Sequence, residues 1–303
     1  GLFTIGFEDL AVETVGIPIQ ITRTYDSRRR GRRGDFGWGW TMDLTDIVDI
    51  DKGVVEYEAT WTLDTSPPGC GFFCLQWEIA SPDARILTLD LGYGVREHFE
   101  FTVDAFFGAS LHQAEYTALT TPGATLIPLN GWGVGNTLSL QGGELIDVGA
   151  SVQPYDPDAY QIQYPDGTIM NVSVEDGLEY LQDPHGNFMS ISSTGITASG
   201  GRNVVITRDP ATDLITQITD PDGAAITYTY DADDNLIAVT DRVGATTEFI
   251  YHDLFDHLLE RVLDPDGEPV VRNVYDTDGR LIEQCDQDDD CVEFTHDHTT
   301  PTE

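Results

Sequence analysis

The sequence predicts an all-β protein in which antiparallel β-hairpin repeats form a curved or spiralling sheet, preceded by an irregular, β-rich N-terminal region. Three observations predict it. A unit recurs through the C-terminal half. The segments of that unit are rich in β-branched and aromatic residues and are bounded by turn residues. No segment sustains a capped apolar period of 3.6 residues, the nearest being the short stretch 174–181.

The unit is anchored by tyrosines. Tyr228-Thr-Tyr230-Asp231 is followed by Asn235-Leu236-Ile237 and then by Thr240-Asp241-Arg-Val-Gly244. The next copy reads Phe249-Ile-Tyr251-His-Asp253, Leu258-Leu259 and Leu263-Asp264-Pro-Asp-Gly267. A third reads Val274-Tyr275-Asp276-Thr-Asp-Gly279-Arg280-Leu281-Ile282, and a fainter copy lies upstream in Ile206 to Asp209, Leu214-Ile215 and Thr219-Asp220-Pro-Asp-Gly223. Tyr230, Tyr251 and Tyr275 stand 21 and 24 residues apart, and Gly223, Gly244 and Gly267 stand 21 and 23 apart. A fixed register of this kind marks a repeat architecture. Each unit reads as two strands of about 6–8 residues with two turns. In Asp-Pro-Asp-Gly the proline presets φ, the aspartate can bond nearby backbone N–H groups, and the glycine accepts a positive φ. A lone hairpin is marginal, so neighbouring units must pair into a continuous sheet. Alternation along a strand puts Tyr228 and Tyr230 on one face and Thr227 and Thr229 on the other.

The change of grammar along the chain divides it into three regions. Residues 1–50 carry strands at 9–12 and 15–25 about a turn at Gly16. An arginine-rich loop follows (Arg28, Arg29, Arg30, Arg32, Arg33), then Phe36-Gly37-Trp38-Gly39-Trp40. Residues 51–155 are strand-rich but irregular, with the first cysteine pair and a Gly-rich stretch, Gly131-Trp-Gly-Val-Gly-Asn136. Residues 156–303 hold the repeats, with Asp156-Pro-Asp158 as the joint before them. The chain opens on Gly1 without a Met or a basic, apolar leader, and is expected to be part of a longer or processed polypeptide.

Composition narrows the partners. There are 53 acidic residues against 15 basic ones, a formal net charge of -38, and Lys52 is the only lysine. Phosphate backbones need a basic footprint, so nucleic acid and anionic membranes are repelled, while cations and basic partners are favoured. With 40% hydrophobic residues the chain is globular in composition, and no run approaches the roughly 18 apolar residues of a membrane-spanning helix. The four cysteines form two local pairs, Cys70/Cys74 and Cys285/Cys291. Local disulfides are the simplest of the three connectivities, and the competing zinc reading wants C-x2-C knuckles that neither spacing supplies. Disulfides point to a secreted or cell-surface protein.

Two stretches together resemble the RHS/YD-repeat family of bacterial RHS proteins, toxin-complex shells and the teneurin barrel. Gly16-Ile-Pro-Ile with Arg23-Thr-Tyr25-Asp26-Ser27 is similar to the strand that opens the family's shell, and Phe36-Gly37-Trp38-Gly39-Trp40 to its F-G-x-G-W signature. Asp183-Pro-His-Gly186-Asn187, Gly195-Ile-Thr197, Thr207-Arg208-Asp209, the stretch from Ile215 to Gly223 and Tyr228-Thr-Tyr230-Asp231 follow the start of its repeats. The resemblance covers roughly residues 8–50 and 160–295 and leaves 51–155 unplaced. It implies a spiralling sheet belonging to a hollow cage around a C-terminal toxin or adhesion module. The repeats here are too few to close a cage alone. The self-cleaving Asp-Pro-x-Gly-Leu segment is also missing, since Asp264-Pro-Asp-Gly267-Glu268 keeps the repeat's turn register and has Glu in place of Leu.

Candidate sites are sparse. Asp286, Asp288, Asp289 and Asp290, flanked by Cys285 and Cys291, could gather oxygens for Ca²⁺, as could Asp231, Asp233 and Asp234. The alternative is that they are turn residues in solvent. His296-Asp-His298 could hold a transition metal or belong to a fraying tail, and His98, His112, His185, His252 and His257 are scattered. The arginine run is either a solvated hairpin tip or a docking element for an acidic surface, on its own repeats or on another copy. Trp38, Trp40, Trp61, Trp77 and Trp132 read as core rather than sugar platforms. No G-x-S-x-G, H-E-x-x-H or P-loop motif occurs, and no required cofactor is implied. The expectation is a non-catalytic shell segment that encloses or presents another module. The alternative is an extracellular adhesion module for carbohydrate or a protein partner.

Overall fold

A computed structural model describes residues 2–44, 49–51, 61–64, 78–80, 84–91, 95–107, 111–129, 137–148 and 152–295. Their strands pair antiparallel throughout, and the single helical element among them is a 3-10 turn at Ser27–Arg29, so the all-β class read from the sequence is correct. The chain divides into two compact units, Gly1–Asp46 with Ser192–Glu303, and Ile47–Ile191. No helix among the described residues is long and apolar enough to cross a membrane.

In the unit 47–191, strands Arg85–Asp90, Arg96–Phe107, Leu111–Ala118, Thr137–Gln141 and Glu144–Asp147 pair in succession. Trp61, Ile79, Phe101, Val103, Leu138, Leu145 and Tyr155 form a core against them. Thr125–Pro128 pairs with Ala159–Gln163, from which Ile169–Ser173, Gly177–Gln182 and Phe188–Ser192 follow in chain order.

In the other unit, the repeats form a meander of consecutive hairpins from Gly195–Ala198 to Cys291–Glu293. Turn chemistry sets its register. Asp220, Asp231, Asp241, Asp264, Asp276 and Asp286 each accept, on one carboxylate oxygen, the N–H groups two and four residues on, at 2.9–3.1 Å. The residue three positions after each takes a positive φ: Gly223, Asp234, Gly244, Gly267, Gly279 and Asp289. This combines a type I turn with a left-handed closing residue, which joins twisted strands without splaying them.

The second strand of each repeat does not alternate strictly. Ile215–Thr219, Leu236–Thr240 and Leu259–Leu263 bury their first and fourth residues. The cause is a β-bulge opposite the repeat tyrosine, where Tyr230 pairs with Leu236 while Thr229 pairs with Ala238. The same shift stands before Arg208, Tyr251 and Tyr275. One extra residue reverses the parity of the strand, so two apolar residues three apart both reach the core face. The tyrosines use that geometry. Tyr230 donates to the Ile215 carbonyl (2.6 Å), Tyr251 to Leu236 (3.0 Å) and Tyr275 to Leu259 (2.6 Å). Each repeat is thereby tied to the start of a strand fifteen or sixteen residues earlier. As alternation requires, Tyr228 is buried and Thr227 and Thr229 are exposed.

Candidate functional site

The opening segment is a three-stranded sheet that lies on the tyrosine-bearing face of the repeats. Thr4–Val12 pairs with Ile19–Asp26, which pairs with Trp40–Met42. Asp26 caps the 3-10 turn, its carboxylate accepting the Arg28 N–H and side chain. Burial alone would raise Asp26, but these bonds hold it below the usual carboxylate range. Ser27 exchanges bonds with the Phe3 backbone and closes the base of the hairpin.

At the centre is a buried cation. Arg23 Nε and Nη2 donate to Asp9 Oδ2 and Oδ1 at 3.0 and 3.1 Å, and the two side chains are 1% and 5% exposed. A bulge between Glu8 and Leu10 turns Asp9 inward, where its Oδ2 also accepts the Tyr228 hydroxyl at 2.8 Å. The Arg23 guanidinium lies 4.6 Å from the Trp40 ring, 4.9 Å from Phe7 and 5.2 Å from Phe249. Its Nη1 makes no hydrogen bond, so these ring faces are what it meets instead.

Around this centre the opening segment grips the repeats through polar contacts. Tyr25 donates to the His257 carbonyl (2.7 Å) and accepts the Leu259 N–H (3.1 Å). Trp40 Nε1 donates to the Tyr251 hydroxyl at 2.8 Å. Trp38 stacks on His257, which is bonded in turn to Asn235 Oδ1 at 2.6 Å. Asp35 pairs with Arg208, and its carbonyl accepts the Ile215 N–H. Gly37, at φ +92°, sits so close to the Asp234 carbonyl that a Cβ there would collide with it. Gly39, at φ +77°, would place a Cβ 2.6 Å from the Tyr25 ring. The predicted signature residues Arg23, Tyr25, Phe36, Gly37, Gly39 and Trp40 therefore lie in this junction, with Phe36 packed on Tyr228, while Ser27 stands at the base of the opening hairpin. Sequence reasoning missed Asp9, Asp35, Asn235 and His257. A carboxylate inside an apolar strand was the available signal for Asp9.

The arginine run divides its roles. Arg33 bonds Asp234 (3.0 Å) and the Thr212 carbonyl (2.6 Å), Arg30 lies over Phe255, and Arg28 folds back on Asp26. Of the proposed calcium ligands, Asp286 closes its turn and Asp289 lies 3.7 Å from Arg272. Asp288 and Asp290 give their N–H groups to Asp286. Asp231 closes its own turn, with Asp233 donating to it, and Asp234 pairs with Arg33. Among the described residues, the one group of side chains close enough to hold a metal is Glu283, Cys285 and Cys291, and its two cysteines are joined in a disulfide. Cys70, Cys74, Trp77, Trp132, the Gly-rich stretch 131–136, His296 and His298 lie outside the described residues.

Burial raises the junction tyrosines. Tyr25 is pushed up to about 12, against the pull of its Leu259 amide bond, and Tyr228 well above its ordinary value by burial and the Asp9 charge. Tyr230, Tyr251 and Tyr275 are raised by burial as well. A phenol raised on folding contributes stability that is complete below its unfolded value near 10 and is lost as pH climbs through the folded one. Phenolate absorbance of these buried tyrosines should accordingly rise only above about pH 10, cooperatively and coincident with loss of the β-sheet circular dichroism. A single non-cooperative titration of all 12 tyrosines would contradict the burial described.

Comparison with known proteins agrees with this geometry. Residues 208–246 and 230–269 match the RHS Repeat family, and residues 1–64 match a domain of unknown function, DUF6531. No curated protein matches the chain. The two matches fall on the two partners of the junction, the opening segment and the tyrosine repeats. The chain thus carries RHS repeats over residues 208–269, with an opening segment that matches DUF6531.

Proposed function

We propose that the chain is a non-catalytic wall segment of a secreted RHS/YD-repeat shell, one that encloses or presents a further module such as a toxin or adhesin. The observation that carries this reading is how the junction employs its reactive groups. The Arg23–Asp9–Tyr228 cluster, the Tyr25 and Tyr251 hydroxyls and the Trp40 N–H are all committed to fastening the opening segment onto the repeats. The turn aspartates are committed in the same way to backbone N–H groups. These are the terms of a rigid sheet lined by structure-making bonds, where turnover would need a carboxylate or hydroxyl left free to exchange protons with a substrate.

Limited proteolysis of the full natural gene product tests the proposal. The enclosed module should resist cleavage in native buffer and become sensitive in the same urea range in which the shell unfolds. Equal cleavage rates with the shell folded and unfolded would refute enclosure.

A further inference from the structure

The last hairpin carries chemistry that a wall does not require. Cys285, in Leu281–Asp286, is paired directly with Cys291, in Cys291–Glu293, and the two are joined by a disulfide. The two sulfurs are not equivalent, since Cys285 is buried and Cys291 is exposed. On the other side, Arg272 of Pro269–Tyr275 is the direct partner of Cys285, with Nη2 3.1 Å from Cys285 Sγ. Glu283 (3.8 Å) and Asp289 (3.7 Å) hold that guanidinium in place. The result is a row across three strands: cation, buried sulfur, exposed sulfur.

We propose that the Cys285–Cys291 disulfide is a thiol-exchange site for thiols carried on positively charged molecules. An incoming thiolate, its proton given up to water, attacks Cys291 Sγ, the sulfur that solvent reaches. A bond forms between the incoming sulfur and Cys291, the Cys285–Cys291 bond breaks, and its electron pair leaves on Cys285 as a thiolate. The incoming thiol is itself the reductant: its sulfur is oxidised to the disulfide level as Cys285 is reduced, and no further redox partner is needed. Arg272 receives the negative charge on the leaving sulfur and offsets the Glu283 carboxylate beside it, and a stabilised leaving thiolate speeds exchange. Selectivity comes from the surroundings, because Asp286, Asp288, Asp289, Asp290 and Glu293 are exposed acids about the point of attack. Such a field concentrates cationic reactants and repels anionic ones. The last strand gives way readily, because all three of its residues are exposed and Glu293 faces Glu283 across the ladder.

The test treats the intact chain with cysteamine or glutathione, traps free thiols with N-ethylmaleimide and maps the peptides. Rates are normalised to the same thiols acting on a small neutral disulfide. The incoming thiol is expected on Cys291 and maleimide on Cys285. Cysteamine should be favoured by about tenfold at low ionic strength, the preference collapsing near ~1 M salt, where screening acts within about 3 Å. Arg272→Gln should slow exchange roughly threefold to tenfold and Arg272→Lys should restore most of the rate, both with unchanged melting. An adduct on Cys285, no adduct at either position, a charge preference indifferent to salt, or wild-type rates in Arg272→Gln would each overturn the proposal.

Discussion

Replacing Arg23 by methionine is expected to cost about 3–5 kcal/mol, because it leaves the Asp9 carboxylate buried without its cation. The direct loss is the paired Nε and Nη2 bonds, and the ring faces of Trp40, Phe7 and Phe249 lose their guanidinium as well. Tyr228 would keep Asp9 as an acceptor, so one hydroxyl bond remains against an uncompensated charge. The informative control removes the whole polar cluster. Arg23→Met, Asp9→Leu and Tyr228→Phe together should recover most of the loss, since a buried ion pair is often no better than well-packed apolar side chains. Urea denaturation of the single and triple variants reads both values. A single variant within about 1 kcal/mol of wild type would mean that water reaches Asp9.

Trp40→Ala should cost about as much, roughly 3–5 kcal/mol, for a different reason. The indole is fully buried, with Tyr25 at 5.4 Å and Phe249 at 5.0 Å between ring centroids. Truncation opens a cavity among the rings of Tyr25, Phe7 and Phe249, whose own strands are fixed by backbone ladders and cannot move in to fill it. Trp40→Phe separates packing from bonding. It keeps much of the ring volume but removes the donor to Tyr251, whose own bond to the Leu236 carbonyl survives. The expected loss is smaller, about 1–2 kcal/mol. Equal losses for Ala and Phe would place the effect in the hydrogen bond rather than in the volume.

What could be read from the sequence was what is local. Turn positions follow from the φ that Gly223, Gly244 and Gly267 tolerate and from the short reach of Asp220, Asp241 and Asp264, so the repeat period was plain. The bulges were not, because the extra residue (Thr216, Ile237, Glu260 or Ile282) is of no particular type. Without them the tyrosines could be placed on a face but not given an acceptor. The family resemblance picked out Tyr25 and Trp40 but not their partners, which lie more than 200 residues away and leave no mark in local spacing. His257 had looked like one of several scattered histidines. It is instead a stacking surface for Trp38 in a left-handed backbone conformation. The acidic loop beside Cys285 suggested calcium by composition, and composition does not reveal that one oxygen of its first carboxylate accepts two N–H groups of its own turn.

The contacts that fasten the opening segment have sequence separations of 211 to 234 residues, through Trp40, Asp9 and Tyr25. During synthesis at about 5–20 residues per second, Asp9, Arg23 and the apolar side chains around them wait on the order of 10–50 s before Tyr228, Tyr251 and Leu259 exist. Through that interval the opening hairpin holds a charge pair and several aromatic rings with nothing to cover them. Closure of the junction is therefore a late step of high contact order and a natural point for chaperone capture, whereas each tyrosine repeat can lock onto its predecessor within a few seconds of emerging.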